Sequence, residues 1–163
     1  MFTTVNDKIG LKTCLFNLER KDKMIQSTNE LEQSVAINSN VLFSNDTLRT
    51  RNASCCGFLE HEEGSGLFTL TKNGIYEILF RANITSATAN DVLGLVMTSN
   101  GENLTGTQMD YTIATAGVNQ GVGTQRLIRI CNGSKTIAIK NNSTTNTTPL
   151  LIENANIIIK KIA

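Results

Sequence analysis

Tryptophan is absent from these 163 residues, proline and histidine occur once each, and tyrosine occurs twice. So few aromatic rings supply a sugar-stacking platform poorly, which tells against a carbohydrate-cleaving cleft flanked by paired carboxylates. One histidine cannot build a metal centre unaided, because such centres need several convergent His, Cys or carboxylate ligands. A charge excess is missing too: 15 Lys+Arg stand against 14 Asp+Glu, a formal charge of +1. Nucleic-acid binding draws on clustered positive charge that displaces counterions from phosphates, so no nucleic acid is expected as a partner. No run approaches the roughly 18 uncharged apolar residues of a spanning helix, and no membrane insertion is expected. The first ten residues place Asp7 and Lys8 ahead of any apolar run, without the basic head and cleavage site of a secretory signal, so synthesis in the cytoplasm is expected.

The four cysteines, Cys14, Cys55, Cys56 and Cys131, form no C-x-x-C pair and no zinc-finger spacing. An adjacent pair such as Cys55 and Cys56 rarely bridges to itself, so all four read as reduced thiols. The single His61 sits in Glu60-His61-Glu62-Glu63-Gly64, which reads as a solvated loop. No G-x-S-x-G, phosphate loop or dinucleotide fingerprint occurs, and the glycines of 117–123 precede neither a lysine nor a helix. Asp110 stands isolated, and the amides of 141–146 lack the carboxylates of a calcium loop. No catalytic residue, metal or cofactor is assigned, and the chain is expected not to be an enzyme.

What the sequence does hold is apolar alternation. Hydrophobic residues make up 40% and charged residues 18% of a length that suits one domain with a short extension. Tyr76, Ile78, Phe80, Ala82 and Ile84 recur with period two, the pattern of a half-buried strand. Further strands are expected at 67–70, 92–98, from Asn103 to about Thr115, at 125–131, 135–140 and 154–162. Asn73-Gly74, Asn100-Gly101 and Asn132-Gly133 punctuate them; the second and third are read as the turns of two hairpins. About eight strands without a helical period predict an all-β antiparallel sandwich over residues 40–163. Residues 1–39 are polar, with Leu18, Ile25, Leu31 and Val35 too sparsely spaced for a firm amphipathic helix. They are read as an attachment arm, irregular or holding one short helix. Its large apolar side chains Phe2, Leu11, Leu15 and Phe16 gain most from a partner's pocket and are the expected anchors.

One spacing carries a resemblance: Phe68, five residues, then Gly74-x-Tyr76-x-Ile78-x-Phe80, with Ala82-Asn83-Ile84-Thr85 leaving the strand and Ala155-x-Ile157-x-Ile159-x-Lys161 at the end. This resembles the tumour necrosis factor-like jelly roll, in the branch of the complement-collagen heads and their bacterial and phage relatives, with Ile78 standing where that branch usually has phenylalanine. The resemblance covers about residues 40–163. It implies a homotrimer in which Phe68, Tyr76, Ile78 and Phe80 form the trimer interface or the core. It further implies a non-enzymatic virion protein, a head fibre, capsid decoration or tail appendage, joined to other virion proteins through its arm and meeting host-surface glycans. A secreted or spore-surface adhesion domain and a carbohydrate-active jelly-roll enzyme stand as alternatives.

Overall fold

The computed structural model describes residues 23–49, 57–144 and 149–163. Among these there is no helix, and twelve strands form two sheets. The first sheet has the order β10 (Gln120–Ile130), β6 (Gly74–Thr85), β12 (Leu150–Lys161), β1 (Lys23–Asn29) and β3 (Asn45–Arg49), with β2 (Gln33–Val35) beside the start of β12. The second has the order β4 (Leu59–His61), β5 (Phe68–Leu70), β11 (Lys135–Asn141), β7 (Asp91–Ser99) and β8 (Glu102–Asn103), with β9 (Met109–Ile113) further along β7. Every pairing is antiparallel.

The period-two residues of β6 place Tyr76, Ile78, Phe80 and Ile84 on the inner face, where all four are fully enclosed. Each such large apolar side chain gains about 1.5–3 kcal/mol over an exposed one, which fixes the register of the strand. In β12 the inward set changes parity, from Leu150 and Ile152 to Ala155, Ile157 and Ile159. A bulge between Glu153 and Asn156, with Asn154 at φ 52°, absorbs the extra residue and keeps both halves facing the core. Gly74 opens β6 at φ 150°, where a Cβ would stand 2.2 Å from the Ala163 carbonyl and 2.3 Å from the Lys161 side chain.

Several expectations are corrected. Residues 23–39 belong to the sandwich, not to an arm: β1 pairs β12 over Lys23 to Asn29, and β2 pairs it over Gln33 to Val35. No short helix forms there, because β1 needs only Ile25 and Ser27 on its inner face and draws its hydrogen bonds from two neighbours. The sandwich therefore starts at Lys23 at the latest, and residues 1–22 lie outside the described residues.

The turn at Asn100-Gly101 is the expected hairpin, with both residues at positive φ (51° and 83°). Asn132-Gly133 is not: β10 pairs β6 in the first sheet, while β11 pairs β5 and β7 in the second. The turn reverses the chain, but the eleven-residue ladder of β10 with β6 decides the partner. The expected strand from Asn103 to Thr115 is split into β8 and β9, because the Thr107 hydroxyl takes the Met97 N–H at 3.2 Å and donates to the Leu104 carbonyl at 2.7 Å. Gly121 and Gly123 lie within β10, opposite Asn83 and Arg81.

Candidate functional site

The four residues expected at a trimer interface or core, Phe68, Tyr76, Ile78 and Phe80, are all fully enclosed within one chain. Phe43 meets Phe68 edge-on at 5.3 Å and Phe80 at 6.4 Å, and Phe58 stacks on Tyr76 at 6.3 Å. The Tyr76 hydroxyl donates to the Lys72 carbonyl at 2.7 Å, and burial pushes the phenol above its ordinary value. None of these side chains is left for a neighbouring copy, so a contact between copies must use another face. The anchors Phe2, Leu11, Leu15 and Phe16 lie outside the described residues, as do Cys14, Cys55 and Cys56. Cys131 is a free, exposed thiol in the turn after β10.

His61 departs from the expected solvated loop. It ends β4 on the inner face, is 8% exposed, and stacks flat on Phe68 with ring centroids 4.0 Å apart. Nδ1 lies 2.8 Å from Asp46 Oδ1 and Nε2 lies 3.2 Å from the Ser65 carbonyl, so both ring nitrogens face acceptors. Asp46 also accepts from Ser27 Oγ and lies 3.6 Å from Arg49. Serine, aspartate and histidine therefore meet, but in an order that activates no nucleophile: the serine donates to the carboxylate, and the Nε2 that would serve as base is committed to a carbonyl. The cluster ties the edge strand β3 of one sheet to the edge strand β4 of the other. Its signal in the sequence was the alternation Leu59-x-His61, which puts the imidazole on the same side as a core leucine. Among the described residues no group of three His, Cys, Asp or Glu side chains could hold a metal ion.

The outer face of the first sheet has a different character. Ladder pairing sets Gln125, Leu79, Ile158, Gln26 and Leu48 in one row across β10, β6, β12, β1 and β3. Leu79 and Ile158 are half-buried neighbours at its centre. Leu48 is 42% exposed, and Leu127, opposite Glu77 in the adjoining row, is 57% exposed. Apolar side chains gathered on the outside of a sheet are the usual mark of a surface that another molecule covers. Sequence reading missed this face because it followed only the enclosed half of the β6 alternation.

No family model matches the sequence, and no curated protein matches it. Solved structures do. The globular domain of zebrafish complement 1qA superposes with a TM-score of 0.63 at 14% identity, over 86% of this chain and 98% of that one. Murine APRIL gives 0.62 at 15% identity, over 87% and 100%. Eiger TNF from S. frugiperda gives 0.60 at 12% identity, over 88% and 94%. At such identities the likeness is one of fold, and the fold of this chain is the antiparallel jelly roll of the TNF and complement C1q type.

Proposed function

We propose that this chain is a non-enzymatic, homotrimeric jelly-roll module of a phage virion, a fibre or decoration domain on the head rather than the tail, with its outer surface turned to host glycans. The observation that carries the trimer is the row of Leu79 and Ile158 with Leu127 and Leu48 on the outer face of the first sheet. A threefold axis beside that face brings three copies of one apolar patch under cover in a single closed ring. The virion reading is supported by the phage-like run from Gly74 to Thr85 and by the closing Ala155-x-Ile157-x-Ile159 pattern. The non-enzymatic reading is supported by the Ser27, Asp46 and His61 cluster, whose hydrogen bonds serve structure.

In this reading residues 1–22, with Phe2, Leu11, Leu15 and Phe16, join the trimer to another virion protein. Mass spectrometry of purified particles tests the location: the protein is recovered with the particle and lost from it when residues 1–22 are deleted. A truncated protein that incorporates normally removes the anchoring role, and a protein absent from particles removes the virion reading.

A further inference from the structure

The sequence holds three Asn-Gly pairs, at 73–74, 100–101 and 132–133, and the fold holds them differently. Asn100 is pinned: its Oδ1 accepts from the Thr136 N–H at 2.8 Å and the Thr136 hydroxyl at 3.3 Å, and its own N–H donates to the Thr136 carbonyl at 2.9 Å. Gly74 is pinned as well. It stands in the ladder opposite Ile130, where the Ala163 carbonyl leaves no room for a Cβ. The next residue, Ile75, donates its N–H to the Ala163 carbonyl and accepts from the Ile162 N–H, both at 2.8 Å.

The third pair is not held. Asn132 and Gly133 are both exposed, in the connection that carries the chain from β10 in the first sheet to β11 in the second. Neither residue, by main chain or side chain, takes part in a hydrogen bond among the described residues. Gly133 has φ 73°, and nothing lies within 4 Å of the place where its Cβ would stand.

Such a pair is set up to react with its own backbone. The Gly133 nitrogen, with no Cβ beside it to obstruct approach, attacks Asn132 Cγ. The new N–Cγ bond closes a succinimide ring, the Cγ–Nδ2 bond breaks, and the proton of the attacking nitrogen leaves with ammonia. Water then opens the ring. Cleavage of the N–Cγ bond gives aspartate, whereas cleavage between the nitrogen and the Asn132 main-chain carbonyl gives isoaspartate, whose chain runs on through Cγ. Nothing is oxidised or reduced, and water is the only reagent consumed. Ring closure requires the side chain and the adjoining backbone dihedrals to rotate until Cγ meets the nitrogen, and each hydrogen bond on the pair opposes that rotation.

We infer that Asn132 is a site of spontaneous deamidation, the one Asn-Gly pair of the three that the fold leaves free to close the ring. Isoaspartate adds a carbon to the main chain where no ladder is disturbed, so a converted chain keeps the sandwich. A carboxylate replaces a neutral amide, and the formal charge falls from +1 to zero, which ion-exchange chromatography reads directly.

The test is peptide mapping by mass spectrometry on the full chain, aged in mildly alkaline buffer and sampled over time, with a parallel sample unfolded in urea. Asn132 is expected to convert about tenfold faster than Asn100 and Asn73 in the folded chain, because the bonds that hold those two pairs must open first. In urea the three rates are expected to converge. Gly133→Ala puts a methyl group beside the attacking nitrogen and is expected to slow conversion of Asn132; its Cβ meets nothing, so the variant keeps its fold, which its thermal midpoint verifies. If Asn100 or Asn73 keeps pace with Asn132 in the folded chain, or if the same ranking persists in urea, the fold does not select the site and the inference is overturned. An Asn132 that stays intact in the folded chain overturns it too, as does a Gly133→Ala variant that converts as fast as the wild type.

Discussion

His61 Nδ1 and Asp46 Oδ1, 2.8 Å apart, are the polar bond that closes one open side of the sandwich. β3 and β4 are edge strands of different sheets, and this pair joins them beneath the Phe43 and Phe68 rings. Removing the imidazole takes one of its partners from Asp46, leaving Ser27 and Arg49, and empties a site stacked on Phe68. His61→Ala is expected to cost about 2–4 kcal/mol, read as a lower midpoint in urea. Asp46→Ala is expected to cost a similar amount, because it takes one shared acceptor from His61 Nδ1, the enclosed Ser27 hydroxyl and Arg49. The double variant falls short of the sum, which a double-mutant cycle measures.

Gly74 is expected to tolerate no side chain. Gly74→Ala places a Cβ within 2.3 Å of both the Ala163 carbonyl and Lys161, at a φ that side chains rarely adopt, and costs about 3 kcal/mol or more. Gly101→Ala serves as the control: its φ of 83° is also unfavourable, but nothing lies within 4 Å, so the cost is about 1 kcal/mol. Equal losses in the two variants would remove the contact argument.

These residues show what the sequence disclosed and what it withheld. The β6 strand was legible because burial on one side writes itself as alternation from Tyr76 to Ile84. β1 was not, since its inner face is Ile25 and a serine, and a buried Ser27 looks polar until Asp46 is seen to receive it. Turn chemistry located Asn132-Gly133 but could not say that the strands on either side join different sheets, which is a matter of distant pairing. Asp110 read as isolated, although a strand puts it on one face with Gln108 two residues earlier, whose amide it accepts from. Asn142, which donates to Gln108, comes from a strand end more than thirty residues later and had no local signal.

Tyr76 gives the fold a pH dependence at the alkaline end. Burial holds its phenol above the ordinary value of 10.0, so the folded chain keeps the proton that the unfolded chain releases first. The contribution of Tyr76 is complete below that value and declines as pH rises through the folded one. Urea midpoints measured from about pH 9 to pH 11 are expected to fall more steeply for the wild type than for Tyr76→Phe, which has no proton to lose. At neutral pH the same substitution costs about 1 kcal/mol, from the lost bond to the Lys72 carbonyl. Parallel pH profiles would contradict the assignment.

The central claim is that copies of this chain meet through the outer face of the first sheet. Light scattering at micromolar concentration measures it most directly, on the wild type and on a Leu79→Glu, Ile158→Glu variant. Both substitutions point outward, so the core that encloses Tyr76, Ile78 and Phe80 is untouched and the strand signal in circular dichroism is retained. The account predicts a wild-type mass three times the 17.7 kDa of the chain and a variant that runs as a folded monomer. A monomeric wild type, or a variant that remains trimeric, would contradict it.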